Sequence, residues 1–300
     1  MFDITASVVT YRNDIKIVQK TIDSFLNTDL NVMLYVVDNS PSDEISRACK
    51  SDKIKYVFNG KNLGFGAGHN MAMRQTVKKS KYHLILNPDI FFERGTLEGL
   101  YDFMERDDTI GLVMPKILCF DGKIQHLCRL LPTPFSLILR RLNIDLLNDL
   151  FKTAKDNHML GFTNYARIME VPCLSGCFMF TRSSALTKVG FFDERFFMYM
   201  EDFDLSRRMY KHFQTLFYPG AVAYHGHARG SYEKFSLFMR HILSSIKYFN
   251  KWGWFFDKER VRINLETIDK AKISYMKRVQ FRQTKITSES VLSLREKLKY

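Results

Sequence analysis

Residues 82–89 read YHLILNPD, an apolar run that ends in an Asn-Pro-Asp turn. An apolar run this short is typical of a buried strand, and the turn residues mark the end of that strand. Residues 4–9, 32–37 and 54–58 have the same apolar character, and residues 15–26 carry apolar side chains at helical spacing between the first two. Strands that alternate with helices over such short distances predict βαβ units and a largely parallel sheet.

Polar residues directly follow three of these strands. Thr10 and Tyr11 follow the first strand, Asp38 follows the second and Asp89 follows the fourth. Ligands of parallel α/β sheets bind at the carboxyl edge, where the strands end. We therefore expect these four side chains to line one crevice.

The later part of the chain is less regular. Its pattern predicts a helix over 135–150, a strand over 171–180, a helix up to about residue 212 and a short strand over 215–218. From residue 231 onward the spacing is helical, with aromatic side chains between lysines and arginines. The predicted fold class is α/β, a Rossmann-like sheet flanked by helices, with a helical C-terminal extension.

The chain has 300 residues, 46% of them hydrophobic, so it can fill a sizeable core. Its net charge of +13 is unevenly distributed: residues 1–110 carry −1, residues 111–225 carry +4 and residues 226–300 carry +10. An excess of this size indicates an anionic partner, which the total alone does not resolve among nucleic acid, a phospholipid surface and a phosphorylated substrate. The basic part of the chain is its last quarter.

The five cysteines are an odd number and have neither disulfide-scaffold nor zinc-ligand spacing. They predict free thiols in a reducing compartment. The N-terminal sequence MFDITASVVTY lacks a basic region and predicts a first strand rather than a signal peptide. No apolar run is long enough to cross a bilayer, so we expect a cytoplasmic protein without a transmembrane helix.

Three groups of polar residues have the chemistry of a catalytic site. Asp89, on its Pro turn, is well placed to hold Mg²⁺ or Mn²⁺ together with substrate phosphates, although Asn, Pro and Asp are also ordinary turn residues. Glu201 and Asp202 open a helix, where a carboxylate either caps the helix or acts as a general base. His225 is either a structural histidine or a metal ligand. The residues alone leave each of these alternatives open.

Residues 62–68, NLGFGAG, form a glycine-rich segment. The segment lacks the G-x-G-x-x-G spacing after the first strand that dinucleotide-binding enzymes use, and the chain has no Walker A sequence. These absences argue against NAD-dependent enzymes and P-loop kinases.

Taken in order, these motifs resemble those of family 2 glycosyltransferases with the GT-A fold, in particular the bacterial rhamnosyltransferase-like branch. The matching segments are 8–11 (VVTY), 36–40 (VVDNS), 62–66 (NLGFG), 86–89 (LNPD), 174–177 (LSGC), 190–194 (GFFDE), 201–204 (EDFD) and His225. Each motif is degenerate, but eight motifs in the same order are specific, and they extend over residues 4–230.

The resemblance implies roles for individual residues. The nucleotide-binding residues that it implies are Thr10, Tyr11, Asp38, Asn62, Gly64 and Asn87. The metal ligands that it implies are Asp89, which matches the last acid of the D-x-D motif, and His225. The catalytic base that it implies is Asp202, with Glu201 as the second candidate. Because the first acid of D-x-D is Asn87 here, we expect Asp89 to be the only carboxylate that this motif supplies.

The resemblance also implies a mechanism. A divalent cation, Mn²⁺ or Mg²⁺, binds the donor diphosphate and stabilises the charge on the leaving group. Asp202 removes a proton from the acceptor hydroxyl, which attacks the anomeric carbon opposite that leaving group. A single displacement inverts the anomeric configuration.

The Asn-Pro-Asp motif and residues 121–134 resemble rhamnosyltransferases, which implies dTDP-rhamnose as the donor. Other deoxysugars, UDP-hexoses and UDP-galactofuranose remain open. The implied acceptor is a hydroxyl of a bacterial surface glycan, such as an O-antigen of lipopolysaccharide, carried on a polyprenyl diphosphate.

We expect two regions, a catalytic domain over 1–230 and an extension over 231–300. Residues 231–256 place aromatic side chains among lysines and arginines, which fits a helix in a membrane interface with anionic lipid. A helix packed on the catalytic domain fits 231–250 at least as well. For residues 251–300 we expect membrane contact, and hence a peripheral location on the inner face of the bacterial cytoplasmic membrane.

Three rival functions use the same features. A nucleic-acid binder would explain the basic extension, but the chain has no recognisable nucleic-acid-binding motif and residues 1–110 are nearly neutral, so we expect no nucleic acid partner. A non-catalytic nucleotide binder would not need Asp89, Asp202 and His225 together. A nucleotidyltransferase would need a basic, glycine-rich loop after the first strand, and residues 10–14 do not form one.

Overall fold

The computed structural model describes residues 1–141, 156–163, 165–226 and 235–273. The strands are β1 (Phe2–Thr10), β2 (Val32–Asp38), β3 (Ile54–Phe58), β4 (Ser80–Leu86), β5 (Ile90–Phe91), β6 (Ile110–Leu118), β7 (Cys128–Arg129), β8 (Met169–Glu170), β9 (Cys173–Leu174), β10 (Phe178–Arg182) and β11 (Gln214–His225). The helices are α1 (Ile15–Leu26), α2 (Phe65–Thr76), α3 (Thr96–Glu105), α4 (Pro134–Arg141), α5 (Ser183–Val189), α6 (Glu201–Tyr210), α7 (Phe235–Trp252) and α8 (258–273). Short 3-10 turns are present at Glu44–Ala48 and Gly161–Thr163.

Nine of these eleven strands form one sheet with the order β3-β2-β1-β4-β10-β6-β11-β5, in which β8 also pairs with β11, and β7 and β9 form a separate antiparallel pair. β1 lies parallel to β2 and β4, and β2 lies parallel to β3. β10 enters the middle of the sheet antiparallel to both of its neighbours, β4 and β6. The predicted α/β class with a largely parallel sheet is confirmed, while the antiparallel central strand was not predicted.

The pattern of burial follows the residue types. In β4 every residue except Lys81 is buried, as expected for a strand covered on both faces. In α1 one face is buried through Val18, Ile22 and Phe25, and the Asp14 carboxylate caps the helix by accepting from the Lys16 backbone N–H. Patterning and capping agree here, so the sequence predicted α1 with its observed bounds.

Two predicted strands differ from those observed, and the glycine-rich segment contains the start of a helix. α2 begins at Phe65, inside the glycine-rich segment, because Gly64 at φ 93° provides a turn from which the helix can start. The strand predicted over 171–180 is two strands, β9 and β10, separated by residues 175–177. β11 continues past Pro219 with a register shift and ends at His225, so the Pro-Gly pair forms a bulge within the strand.

Part of the C-terminal extension packs on the rest of the fold. Tyr248 and Phe249 of α7 are buried in a cluster with Phe196, Met200 and Phe203. One face of residues 235–252 therefore packs on the fold, while the contact of the extension with a membrane stays a prediction. The boundary expected at 230 lies outside the described residues, as do residues 142–155 of the middle segment and 274–300 of the extension, and the division into two regions stays a prediction.

All five cysteines are free thiols, three of them buried and two half-buried, which agrees with the prediction. In the described ranges, no helix has both the length and the apolar character needed to cross a membrane.

Candidate functional site

The residues predicted to bind a nucleotide include a group centred on Asp38 at the end of β2. Its Oδ1 accepts hydrogen bonds from Thr10 Oγ1 at 3.0 Å and from the Ser40 N–H at 2.9 Å, and its Oδ2 accepts from the Tyr56 hydroxyl at 2.8 Å. Burial, and then the bond to Asp38, raise the pKa of Tyr56. Asp38 and Thr10 are fully buried, whereas Tyr11 is 44% exposed. Asp38 and Thr10 therefore order the loop, and Tyr11 has the most exposed side chain of the residues in this group.

The glycine-rich turn is closed by contacts to a distant segment. Asn62 Oδ1 accepts from the Gly64 N–H at 2.9 Å, and the Phe65 N–H donates to the Phe197 carbonyl at 2.9 Å. A Cβ on Gly64 would overlap that same carbonyl oxygen. Asn39 donates from its Nδ2 to the Gly64 carbonyl at 3.1 Å. The turn is thus fixed between β2 and the segment that leads to α6.

The two predicted metal ligands, Asp89 and His225, lie close together. His225 Nε2 lies 3.4 Å from Asp89 Oδ1 and 3.4 Å from Asn87 Nδ2. The other ring nitrogen, Nδ1, lies 2.9 Å from Gln125 Oε1, and Gln125 Nε2 donates to the His225 backbone carbonyl at 3.0 Å. Gln125 thereby fixes the ring and favours a proton on Nδ1, which leaves the Nε2 lone pair beside the Asp89 carboxylate, free to bind a cation.

A carboxylate and an imidazole nitrogen are a donor set that suits Mn²⁺, and a Mg²⁺ or Mn²⁺ ion commonly takes its other ligands from water and substrate phosphates. Within the described ranges, no group of three or more His, Cys, Asp or Glu side chains comes close enough to hold a metal by itself. The pair therefore fits a cation that is completed by the donor diphosphate.

The candidate base, Asp202, lies in the first turn of α6. Its Oδ2 accepts from the Gly176 N–H at 3.1 Å and its Oδ1 accepts from the Phe203 N–H at 2.9 Å. A Cβ on Gly176 would lie 3.2 Å from the Asp202 Cβ, a tight contact, so a larger residue there would have to displace Asp202 slightly. The carboxylate is half-buried and each of its oxygens keeps a lone pair for a further hydrogen bond.

Glu201 has a different environment from its neighbour. It is 5% exposed, and its Oε2 has no hydrogen-bond partner among the described residues. Burial, and then the charge of Asp202, raise the pKa of Glu201 to about 8. At neutral pH Glu201 is therefore a buried neutral acid beside the more accessible Asp202.

The loop over residues 175–177 joins these groups. Its Gly176 N–H binds Asp202, and its Cys177 carbonyl accepts from the Asn87 N–H at 2.9 Å. The predicted residues after β4, in the first turn of α6 and at the end of β11 are thus brought to one region. Sequence reasoning missed Tyr56 and assigned no role to Gln125. Only the folded structure shows that Tyr56 contacts Asp38 and that Gln125 contacts His225.

The chain matches two family models. The model described as "Glycosyl transferase family 2" matches residues 7–188, and the model described as "Glycosyl transferase family group 2" matches residues 145–295. The first match extends over more than half of the chain. The chain belongs to glycosyl transferase family 2.

Two curated relatives are similar to this chain. The low-salt glycan biosynthesis hexosyltransferase Agl10 of Haloferax volcanii is 27% identical over 175 residues, which are 58% of this chain and 52% of that relative. The N-acetylglucosaminyl-diphospho-decaprenol L-rhamnosyltransferase of Mycobacterium tuberculosis is 28% identical over 222 residues, 69% of this chain and 70% of that relative. The matched region is thus about half the length of the first relative.

Solved structures support the fold. GalNAc-T7 with UDP, GalNAc and Mn²⁺ aligns with a TM-score of 0.57 at 14% identity, over 77% of this chain and 44% of that one. The mannosyltransferase PcManGT of Pyrobaculum calidifontis, in complex with GDP-Man and Mn²⁺, aligns with a TM-score of 0.55 at 16% identity, over 84% of this chain and 66% of that one. The GT-A fold expected from the resemblance is confirmed.

Proposed function

We propose that this chain is an inverting glycosyltransferase that moves a sugar from a nucleotide-diphosphate donor to a hydroxyl of a lipid-linked bacterial surface glycan. The observation that carries the proposal is the arrangement around the 175–177 loop. In this loop the Gly176 N–H donates to Asp202, and the Cys177 carbonyl accepts from the Asn87 backbone N–H. The side-chain amide nitrogen of Asn87 in turn lies 3.4 Å from His225 Nε2. A candidate base and a candidate cation site thus flank a single loop.

The donor in this proposal is dTDP-rhamnose. The mycobacterial relative, whose printed name is an L-rhamnosyltransferase, supports this choice together with the Asn-Pro-Asp motif. That relative's name also contains a decaprenol-linked diphosphate, which supports a polyprenyl-diphosphate-linked acceptor such as an O-antigen precursor. UDP-hexoses and UDP-galactofuranose are the competing donors.

The nucleoside binds against the exposed ring of Tyr11. The loop that presents this ring is held by Thr10 and Asp38, and the turn of Asn62 and Gly64 closes the same pocket. Asn87 borders the diphosphate from the other side. A nucleotide base can stack on an aromatic face without a sequence-specific contact, which suits a tyrosine at this position.

Asp89 and His225 hold a divalent cation, Mn²⁺ or Mg²⁺, with Gln125 orienting the imidazole. A bound cation of this kind neutralises the diphosphate and stabilises the charge that develops when it leaves. The residues of this chain supply one carboxylate and one ring nitrogen, so the affinity for the metal depends on the nucleotide.

Asp202 accepts the proton of the acceptor hydroxyl. Its two backbone hydrogen bonds, from Gly176 and Phe203, fix the orientation of the carboxylate before the acceptor arrives. Glu201, neutral and buried, acts as a positioning residue beneath it. The attack of the hydroxyl on the anomeric carbon opposite the diphosphate then inverts the configuration.

The acceptor lipid requires contact with a membrane. The proposed location is peripheral, on the inner face of the cytoplasmic membrane, with the +10 charge of residues 226–300 directed to anionic lipid. Within the described residues, no helix is long and apolar enough to span the bilayer.

A thermal-shift screen of dTDP-, UDP- and GDP-sugars with and without Mn²⁺ tests the proposal. We expect dTDP-rhamnose to stabilise the protein, and to do so strongly only with Mn²⁺. Stabilisation by another nucleotide class would replace the donor, and no response to any nucleotide sugar would overturn the proposed activity.

A further inference from the structure

A cavity of about 290 Å³ lies between α7 and the segment before α6. Its lining residues are Arg195, Lys247, Asn250 and Lys251. Three of the four are cations, and none of the four belongs to the candidate site described above. Such a lining favours an anionic ligand.

The carboxylates near this cavity do not neutralise all of its charge. Asp193 binds Arg195 at 2.6 Å and Lys251 at 2.9 Å, and these cations hold the pKa of Asp193 below its usual value. Lys247 instead donates to the backbone carbonyl of Arg195 at 2.7 Å. Lys251 also pairs with Asp204 at 2.6 Å, whereas no carboxylate in the described part of the chain lies within ion-pair distance of the Lys247 ammonium. The cavity thus has three cationic side chains against two carboxylates, and Lys247 is the one without an ion pair among the described residues.

Beside the cavity, α7 exposes a stripe of large apolar side chains. Phe235 is 77% exposed, Leu243 is 53% exposed, and Met239 and Ile246 are each 39% exposed. At 3.6 residues per turn these four positions fall within an arc of about 80° on the helix surface. The opposite face of α7 is the one buried on the catalytic region, through residues such as Tyr248.

The stripe and the cavity are neighbours on the same helix. Leu243 and Lys247 are four residues apart, as are Ile246 and Asn250, and side chains with this spacing contact each other on a helix surface. Asn250 Oδ1 also accepts from the Trp254 indole N–H at 2.8 Å, which fixes a partly exposed indole next to the cavity. Tryptophan with one wet end and one apolar end is typical of a membrane interface.

We propose that this cavity binds the phosphate of an anionic phospholipid headgroup, while the α7 stripe inserts into the acyl region of the same leaflet. The inference deepens the membrane contact of the proposed function by naming its partner and its site. An apolar stripe of four large side chains would gain nothing from a nucleic acid backbone, and a phosphate alone would not use it. A lipid uses both surfaces at once.

Flotation of the full chain with vesicles of phosphatidylcholine, alone or mixed with phosphatidylglycerol, tests the proposal. Lys247→Gln should weaken binding to the anionic vesicles about fivefold and leave binding to neutral vesicles unchanged. Lys53→Gln is the matched control, because Lys53 is exposed, lies before the edge strand β3 and loses the same charge. Equal effects of the two variants would overturn the headgroup site in favour of overall charge.

The stripe has its own control. Leu243→Ser with Ile246→Ser should reduce binding to both kinds of vesicle, whereas Ile17→Ser, at an exposed apolar position on α1, should not. Unchanged binding of the double variant would overturn the insertion of the stripe.

Nucleotide-sugar thermal shifts of the same proteins separate this inference from the proposed activity. A protein that responds to no nucleotide sugar, but still needs Lys247 for vesicle binding, would refute the activity and support the lipid site. A protein with normal thermal shifts, but with vesicle binding that does not depend on Lys247, would support the activity and refute the lipid site.

Discussion

The ammonium of Lys251 lies 2.6 Å from Asp204 Oδ1, and the indole N–H of Trp252 donates to the same oxygen at 2.8 Å. Asp204 is fully buried and lies two residues after the candidate base Asp202. The last turn of α7 therefore holds the first turn of α6. The position of the candidate base depends on a part of the chain about fifty residues further on.

Lys251→Met tests this connection. The substitution removes one of three partners of a buried carboxylate, so we expect a loss of unfolding free energy of about 1–3 kcal/mol in urea denaturation. Lys247→Met is the control, since it removes the same charge one helical turn earlier from a lysine that contacts only a carbonyl. If both variants lose the same stability, Asp204 does not depend on Lys251.

Asp202→Asn should abolish sugar transfer while leaving nucleotide binding intact. The amide keeps the shape of the side chain but cannot accept the acceptor proton, and loss of a general base costs about 10²–10⁴-fold in rate. Initial rates of transfer, with a thermal shift for the nucleotide sugar, provide the measurement. Full transfer activity in this variant would remove Asp202 from the role of base.

Glu201→Gln should change the pH dependence of stability. The pKa of Glu201 is raised to about 8 from its ordinary 4.5, so between these pH values the folded state binds more protons than the unfolded state. Stability of the wild type therefore falls as the pH rises through this window.

Glutamine does not titrate and should escape that loss. Relative to the wild type, the variant should gain about 5 kcal/mol between pH 4.5 and pH 8 in urea denaturation. A stability difference that stays constant across the window would show that Glu201 titrates as an ordinary exposed carboxyl.

Gly64→Ala should destabilise the protein and weaken nucleotide binding. Its φ of 93° is in the left-handed region, and the added Cβ would overlap the Phe197 carbonyl. Gly190→Ala is the matched control, because its φ of 83° and ψ of 165° are close to the 93° and 171° of Gly64, and its Cβ would meet only Arg208 Nη1, at an ordinary 3.6 Å. Both substitutions cost about 1–3 kcal/mol in backbone strain. Only the additional loss of stability in Gly64→Ala therefore measures the overlap with the Phe197 carbonyl. Thermal unfolding of the two proteins should therefore differ.

Gln125→Leu should raise the Mn²⁺ concentration needed for the nucleotide-dependent thermal shift by about 10–100-fold. Without the bond between Gln125 Oε1 and His225 Nδ1, the imidazole loses its fixed orientation. Gln75→Leu, at an exposed position on α2, controls for the change of residue type. A Mn²⁺ titration that is the same in both variants would contradict the role of Gln125.

The early part of the fold was predictable because local signals agree there. In α1 the apolar spacing and the Asp14 cap indicate the same helix, and in β4 a largely apolar run meets a proline turn. The later elements depend on contacts that no local pattern contains. β11 continues through Pro219 because the strand pairs with β6 on both sides of its bulge.

The candidate site was predictable as a set of residue types, but not as a geometry. Asp89 and His225 were expected together, and they lie 3.4 Å apart. The environment of the site residues was visible only in the fold. Gln125 orients His225, and burial raises the pKa of Glu201 so that it is neutral beside Asp202. Spacing along the chain carries no information about either effect.

The antiparallel strand β10 has a consequence for how the chain folds. β10 pairs with β4 on one side and β6 on the other, so the centre of the sheet cannot close until residue 182 is available. Until then the apolar strands β4 and β6 have unpaired edges, which in a nascent chain invite pairing with other molecules. We expect synthesis to pass through an aggregation-prone stage that shortens when Phe178–Arg182 inserts and ends when β11 pairs with the other edge of β6, and a ribosome-stalled chain that stops before β10 should be markedly more sensitive to proteolysis than one that includes it.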